Sequence, residues 1–409
     1  MRILLLSHYF PPEVNAPANR VHEHARTWAR DGHEVTVITG VPNHPRGTLF
    51  PGYRNRWRQE ETLDGIRVIR TWMYLTANEG FFRRTLNYVL FALTAVLASL
   101  RAGRPDVVVA TSPQFFCGLA GALVARLKRR PFVLEVRDLW PESIVALGQL
   151  HNRAAVRLLE RLETALYRSA AGIVVVTRAF ADHIAGRGVP RERIALVYNG
   201  IDLDRFHPRE PDPELLEAHG LRDRFLVAYV GTLGLAHGLL TLVEAAERLR
   251  DQPDVCVLFV GDGADRARLE AETARRGLDN VRFLGLRPRD EIPAWLASID
   301  LLLVMLRDLP VFETVIPSKI FEFLAQERPV VLAARGEIRR LVSEAKAGFV
   351  VDPEDAEQLA QAVRNARAQP AEAAARARAG RQWVEADFPR EELARRMAEF
   401  LGRCAEAPR

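Results

Sequence analysis

Residues 225–249 read FLVAYVGTLGLAHGLLTLVEAAERL, and three kinds of local order succeed one another in them. Six apolar residues in a row, with no alternation, describe a strand covered on both faces. A glycine-rich turn follows, and then the 3.6-residue periodicity of an amphipathic helix over 238–249. The same scheme continues C-terminally, with strands expected at 255–260, 281–284, 301–305 and 330–333 and helices at 264–276 and 318–326. It also runs N-terminally, with strands at 3–7, 34–39, 106–111, 132–137, 172–177 and 194–197 and helices at 17–30 and 115–130. Alternating buried strands and helices predict an α/β protein built on doubly wound parallel sheets. The rhythm breaks at Tyr198-Asn199-Gly200-Ile201-Asp202 and the proline-rich segment after it. The chain is therefore divided into a first domain, 1–198, a second, 199–385, and a C-terminal helical segment, 386–409, expected to fold back on the first.

At 409 residues the chain exceeds one ordinary hydrophobic core, which also asks for two domains. Cys117, Cys256 and Cys404 are scattered without a CxxC pair, fitting a reducing, cytoplasmic compartment and no structural zinc. A net charge of +5 is too mild to demand nucleic acid, and no aromatic-plus-basic RNA motif occurs. Basic residues cluster early: Arg54, Arg56, Arg58, Arg67 and Arg70, then Lys128-Arg129-Arg130, suggest a basic face on the first half. The longest apolar run, 86–100, is too short to span a bilayer but is flanked by Arg83, Arg84, Arg101 and Arg104. Such a helix suits either a plain core position or the surface of an anionic leaflet, peripheral to the inner membrane.

Three segments carry candidate chemistry. The loop HYFPPEVNAPANR places Asn15 and Asn19 at the start of a helix, where backbone donors meet a phosphate or an acceptor hydroxyl. The turn from Gly231 through Gly234 to Gly238 lets a backbone approach a diphosphate. In the third, Pro317 and Ser318 open a helix with Lys319 in its first turn, where a bound anion relieves the unfavourable placement of a cation. Lys319 is one of only three lysines in a chain that otherwise uses arginine, which marks it as a phosphate ligand. Glu322, four residues after Ser318, is placed to accept hydrogen bonds from a ribose diol. Asp202-Leu203-Asp204 has the form of a metal-binding DxD but sits at the domain break, and the histidines close no metal site.

The runs VYNGIDLDRFHP, FVGDG with Gly261, NVRFLG and IPSKIFEFLAQERPVV, together with SHYFPPEVNAPANR and VRDLWPES in the expected order, resemble the family-4 retaining glycosyltransferases. The resemblance covers nearly the whole chain and is nearest to the branch that builds O-antigens and colanic acid, fucosamine transferases included. It implies a GT-B fold of two Rossmann-like domains with parallel sheets facing across a deep cleft. It further implies a nucleotide-sugar donor on the second domain, an acceptor on the first, and neither metal nor cofactor. By position Glu322 matches the second of the family's paired glutamates and Glu313 is nearest to the first, although eight residues separate them where relatives have seven. The family's arginine and lysine after the glycine-rich turn are replaced around Ala236-His237, leaving Lys319 as the main diphosphate cation. Arg137-Asp138 stand where relatives have His-Asp, a change that favours a 6-deoxy or otherwise altered donor sugar.

The resulting expectation is a retaining hexosyltransferase moving a sugar from a nucleotide diphosphate, UDP first, to a lipid-linked saccharide of a bacterial surface polysaccharide. Its catalytic residues are Asp138, Glu313 and Lys319. Donor contacts come from Gly231, Gly234, Gly261, Ser318, Lys319, Glu322 and Arg137, and acceptor-side contacts from Asn15 and Asn19. A nucleotide-sugar 2-epimerase and a non-catalytic sugar-nucleotide binding protein are the rival readings.

Overall fold

The computed structural model describes every residue except 45, 77–80, 113, 147, 149, 408 and 409, together with all side chains of the described residues but those of 81 and 82. The chain divides into two units, residues 1–199 with 390–409, and residues 200–389.

The first unit is built on an eight-stranded sheet of order β3-β4-β2-β1-β5-β6-β7-β8. Its strands are β1 (Arg2–Leu6), β2 (Glu34–Gly40), β3 (Arg58–Leu63), β4 (Ile66–Thr71), β5 (Val107–Thr111), β6 (Phe132–Val136), β7 (Gly172–Val175) and β8 (Ile194–Leu196). All pairings are parallel except β3 with β4, a hairpin turned by Asp64 and Gly65, both at positive φ. The crossovers carry α1 (Ala16–Arg30), α2 (Phe81–Ser99), α3 (Phe115–Lys128), α4 (Glu142–Ala146), α5 (Arg153–Ser169) and α6 (Arg178–Gly186).

That hairpin accounts for part of the early basic cluster. Arg58 and Arg67 pair with Glu60, while Arg70 is fully buried, donating to Glu61 from Nε at 2.5 Å and stacking on Tyr53 at 4.7 Å. Arg58, Arg67 and Arg70 are therefore paired with carboxylates of their own strand pair, while Arg54 and Arg56 lie exposed. A count of arginines does not show this, because the pairing depends on residues that neighbour one another along and diagonally across the strand pair.

The second unit carries a six-stranded, wholly parallel sheet of order β11-β10-β9-β12-β13-β14. Here the strands are β9 (Phe225–Val230), β10 (Val255–Val260), β11 (Val281–Gly285), β12 (Leu301–Met305), β13 (Val330–Ala333) and β14 (Phe349–Val351). Its helices are α7 (Pro213–Ala218), α8 (Leu240–Arg248), α9 (Arg266–Arg275), α10 (Ile292–Ala297), α11 (Lys319–Ala325), α12 (Gly336–Glu344), α13 (Ala356–Ala368) and α14 (Pro370–Asp387). The last helix, α15 (Arg390–Glu406), belongs to the first unit and lies on α1, where Trp28 Nε1 donates to the Ala394 carbonyl at 2.7 Å. Arg390 pairs there with Glu23.

In each sheet the strand order reverses direction once, between β1 and β5 and between β9 and β12. At such a point neighbouring crossovers leave to opposite faces and open a crevice at the carboxyl ends of the strands, where ligands bind in this class of sheet.

Candidate active site

The second unit presents the more developed group of residues. At the end of β9, Gly231 takes φ +134°, and at the end of β10, Gly261 takes φ +141°. The two turns lie backbone against backbone: a Cβ on Gly261 would stand 1.9 Å from the Gly231 carbonyl oxygen. Gly263 is equally constrained, its Cβ falling 2.3 Å from the Leu233 carbonyl oxygen. Backbone bonds from Leu233 N to Asp262 O and from Asp265 N to Leu233 O, both 2.9 Å, lock the pair of turns.

Gly234 differs. Its backbone is ordinary and the nearest atom to an added Cβ is 3.6 Å away, so close approach does not require glycine there. The expected helix over 238–249 also begins later. A 3-10 turn at 235–237 ends on Gly238 in the left-handed region, φ +61°, and α8 starts only at Leu240. The left-handed glycine stops the turn from running into the helix.

Lys319 opens α11 and reaches back over these turns. Its Nζ lies 3.7 Å from the centroid of the Tyr229 ring, and a Cβ on Gly231 would come within 2.7 Å of it. The Nζ is buried with no hydrogen-bond partner, and burial lowers its pKa to about 7 although Glu322 pulls the other way. Tyr229 is held by its own hydroxyl, which donates to the Thr232 carbonyl at 2.9 Å. His237 Nδ1 lies 3.2 Å from the Met305 carbonyl, which can only accept, so the ring proton sits on Nδ1 and Nε2 is left as an acceptor. Burial, then repulsion from Lys319, pushes that imidazole down to about 3 and keeps it neutral.

Glu322 lies on the next turn of α11, and burial raises its pKa to about 7 against the attraction of Arg289, Lys319 and Arg205. Arg205 donates to the Arg289 carbonyl, and burial lowers its pKa. Ser318 precedes α11 and makes no side-chain capping bond. Glu313 sits in a separate 3-10 turn, Pro310–Thr314, with its side chain exposed. Its backbone is fixed by Gly336 at φ +74°, whose Cβ would fall 1.9 Å from the Glu313 carbonyl oxygen. The DxD residues form a turn instead, with Asp202 Oδ1 accepting from the Asp204 and Arg205 amides at 3.1 and 3.2 Å. Among the described residues no group of three or more His, Cys, Asp or Glu side chains is disposed to hold a metal.

The first unit brings its candidates to the ends of β1 and β6. Asn15 caps α1, accepting from the Ala18 amide at 2.9 Å, and its Nδ2 and the Asn19 Oδ1 are buried without partners. Arg137 takes a bond on its backbone N–H from Ser112 Oγ as acceptor at 2.9 Å, while its Nε and Nη1 are buried and unpaired. Burial lowers Arg137 to about 10 despite the attraction of Glu135. Asp138 accepts from Ser143 Oγ at 3.2 Å, and burial raises its pKa to about 6. The proton acceptor strength of that carboxylate thus lies near neutral pH, in the range suited to proton handling.

Arg205, Arg289, Tyr229 and His237 were not among the residues singled out from sequence. Arg205 lies within VYNGIDLDRFHP, so the motif was visible though its role was not. His237 lies in the glycine-rich turn itself, while Tyr229 and Arg289 are brought in by the packing of β9, β11 and α11.

Comparison with known proteins accords with this arrangement. The pattern of a Glycosyl transferase 4-like domain matches residues 15–200, and that of Glycosyl transferases group 1 matches 224–368. A protein of Escherichia coli K12 named as a colanic acid biosynthesis glycosyl transferase, WcaI, is 29% identical over 90% of this chain and 92% of its own length. The 2-deoxystreptamine glucosyltransferase of Streptomyces kanamyceticus is 29% identical over 83% of this chain and 88% of its own. Among solved structures, sucrose-phosphate synthase from Thermosynechococcus elongatus superimposes with a TM-score of 0.78 at 20% identity, covering 98% of both chains. Anabaena HepE, in complex with UDP and glucose, gives 0.73 at 22% identity over 98% of this chain and 99% of that one. The two domain patterns in this order, on this pair of parallel sheets, make the chain a member of the family-4 type glycosyltransferases with the GT-B fold.

Proposed function

We propose that the protein is a retaining, metal-independent hexosyltransferase that moves a sugar from a UDP-linked donor onto a lipid-linked saccharide during synthesis of a bacterial surface polysaccharide. The observation that carries the reading is the Lys319 ammonium, buried without an acceptor over the Gly231 turn. A buried cation that gives up part of its proton affinity and has no partner is poised for an anion. The diphosphate of a nucleotide sugar supplies that anion, and the small turns at Gly231, Gly234 and Gly261 admit its backbone contacts. Glu322 then accepts from the ribose hydroxyls and Ser318 offers its hydroxyl to phosphate. Glu313 is assigned to the sugar hydroxyls, Arg137 to the donor, and Asn15 and Asn19 to the acceptor.

The reaction breaks the bond between the anomeric carbon and the donor phosphate oxygen and forms one to an acceptor hydroxyl on the same face. Negative charge grows on the departing diphosphate, where Lys319 meets it without a metal ion. That diphosphate takes the acceptor proton, and Asp138 orients the acceptor. The UDP assignment draws support from Anabaena HepE, solved with UDP-glucose, and the polysaccharide assignment from WcaI and from Pseudomonas aeruginosa WbjE, named as a glycosyltransferase.

The test is turnover of a panel of UDP-, GDP- and dTDP-sugars with EDTA present and a polyprenyl-diphosphate saccharide as acceptor. Transfer from one UDP-sugar with retention at the anomeric carbon is expected. Release of a free epimer, an absolute need for added metal, or binding without turnover would each overturn it.

A further inference from the structure

Helix α2 buries Phe91, Ala95 and Ala98, yet three polar residues share that inner face while leucines point away from it. Asn87, Thr94 and Ser99 are 4%, 6% and 1% exposed, with Asn87 donating to the Tyr74 carbonyl at 2.5 Å and Thr94 to the Trp72 carbonyl at 3.1 Å. Its leucines face out: Leu86, Leu93, Leu97 and, just beyond its end, Leu100 are 46% to 61% exposed. A helix covering a sheet in water ordinarily shows the reverse. No described helix is long and apolar enough to cross a membrane.

The apolar surface continues onto two neighbours. Helix α3 packs against both α2 and α5. The crossovers carrying these three helices step the same way across the sheet, and right-handed connections then put all three on one face of it. Leu123 and Leu127 project from α3 at 47% and 54% exposure, and Leu158 and Leu162 from α5 at 57% and 37%. Contiguous exposed apolar surface of this kind marks a binding face.

The charge on that face is one-sided. Helices α2, α3 and α5 together hold eight arginines and lysines against two glutamates, a net of +6, in a chain whose whole formal charge is +5. Beside its leucines, α5 lines an open groove of about 570 Å³ with Arg157, Arg161 and Arg168 against one carboxylate, Glu160, joined by Arg187, which pairs with Glu142. Exposed leucines bordered by arginines match a surface that is apolar beneath and anionic on top.

We propose that this three-helix face of the first unit docks the protein on an anionic lipid bilayer, with the α2 leucines among the acyl chains and the α5 arginines on headgroup phosphates. The proposal deepens the functional reading above and rests on it for its purpose, delivery of the enzyme to a lipid-linked acceptor. It goes beyond an apolar stretch near residue 90 by assigning the headgroup contacts to a different helix, α5.

The experiment is co-sedimentation of the full-length protein with phosphatidylcholine vesicles, with and without 30% phosphatidylglycerol, at about 50 and 500 mM salt. The protein is expected to sediment with the anionic vesicles at low salt and to be largely released at high salt. Leu93→Glu with Leu97→Glu should reduce bound protein at least tenfold, and Arg157→Glu with Arg161→Glu at least fivefold, with unchanged circular dichroism and thermal midpoint. Donor hydrolysis by the same samples without vesicles is read in parallel and should be unaltered in both variants, so failure of docking and failure of the transferase reading are separate results. Wild-type protein remaining in the supernatant at low salt overturns the proposal. Binding unaffected by the α5 substitutions overturns the three-helix face, and a dimer that Leu93→Glu with Leu97→Glu splits, without vesicle binding, reassigns the surface to a second copy of the chain.

Discussion

Each unit buries a cluster of opposite charges, and the two are treated in contrary ways. In the first, Arg20 Nε donates to Glu135 at 2.8 Å and its two terminal nitrogens donate to the Tyr198 and Val197 carbonyls at 2.7 and 3.0 Å. Burial alone would raise Glu135, but attraction to Arg20 and Arg137 holds it at about 2. In the second, Lys319 makes no hydrogen bond, and it and Glu322 both drift to about 7. Arg20 and Glu135 have their bonds within the chain and join α1, β6 and the end of the first unit. In the second, the Lys319 ammonium has none. A satisfied ion pair holds structure, whereas the unsatisfied ammonium is the group that the proposed function assigns to the donor diphosphate.

The sharpest way to break the contrast is to remove one member of each. Arg20→Met leaves Glu135 buried and poorly compensated and should cost about 3–5 kcal/mol of stability, measurable by urea unfolding. Lys319→Met should lower kcat/KM for donor about 10²–10³-fold while leaving the thermal midpoint of the ligand-free protein unchanged or raised. A lowered midpoint would class Lys319 with the structural charges.

Glu322→Gln is the next smaller change, expected to raise KM for donor about tenfold through loss of a charge-assisted hydrogen bond, with kcat less affected. Steady-state kinetics distinguish that pattern from loss of fold.

The pH response separates the clusters again. Glu322 has a raised folded pKa, so the folded state binds more protons than the unfolded one between 4.5 and about 7, and stability falls as pH rises through that window. Lys319 has a lowered one, so the unfolded state binds more protons between about 7 and 10.5, and stability rises there. Ligand-free protein should therefore show a shallow stability minimum near pH 7 that Lys319→Met with Glu322→Gln flattens, read from thermal midpoints across pH 5 to 9. Glu135, with a lowered pKa, contributes stability above 4.5 that is lost as pH falls toward about 2, and the double variant should leave that acid limb in place. UDP binding above pH 7 should take up a proton as Lys319 recovers its charge, detected by calorimetry in buffers of different ionisation enthalpy.

The smallest effect belongs to Gly234→Ala, expected to change stability by less than about 0.5 kcal/mol, since an added Cβ meets only ordinary contacts. Gly261→Ala, in the facing turn, meets the Gly231 carbonyl and should prevent the turns from packing.

Much of this was open to a reader of the residues. Uninterrupted apolar runs such as 225–230 and 255–260 announced parallel strands because a strand covered on both faces leaves no polar side to alternate. The scarcity of lysine drew attention to Lys319, and Pro317-Ser318 marked where its helix begins. The β3–β4 hairpin was missed, since Arg58–Leu63 carries a single apolar residue and offers no alternation to read, and the periodicity of α14 is weak against an alanine- and arginine-rich background. Glycine content was read too evenly: Gly231 and Gly261 are fixed by contact with each other, a relation between residues thirty apart, while Gly234 has space around it.

The sequence alone therefore determined the class of fold, the break near 198–202 and the segments that carry chemistry, because local periodicity and residue type suffice for these. Only the tertiary structure decided which charges are satisfied. Arg20 with Glu135, Arg70 with Glu61, and Lys319 with no hydrogen-bond partner look alike as letters, and they differ because desolvation and hydrogen bonding depend on neighbours supplied by distant parts of the chain.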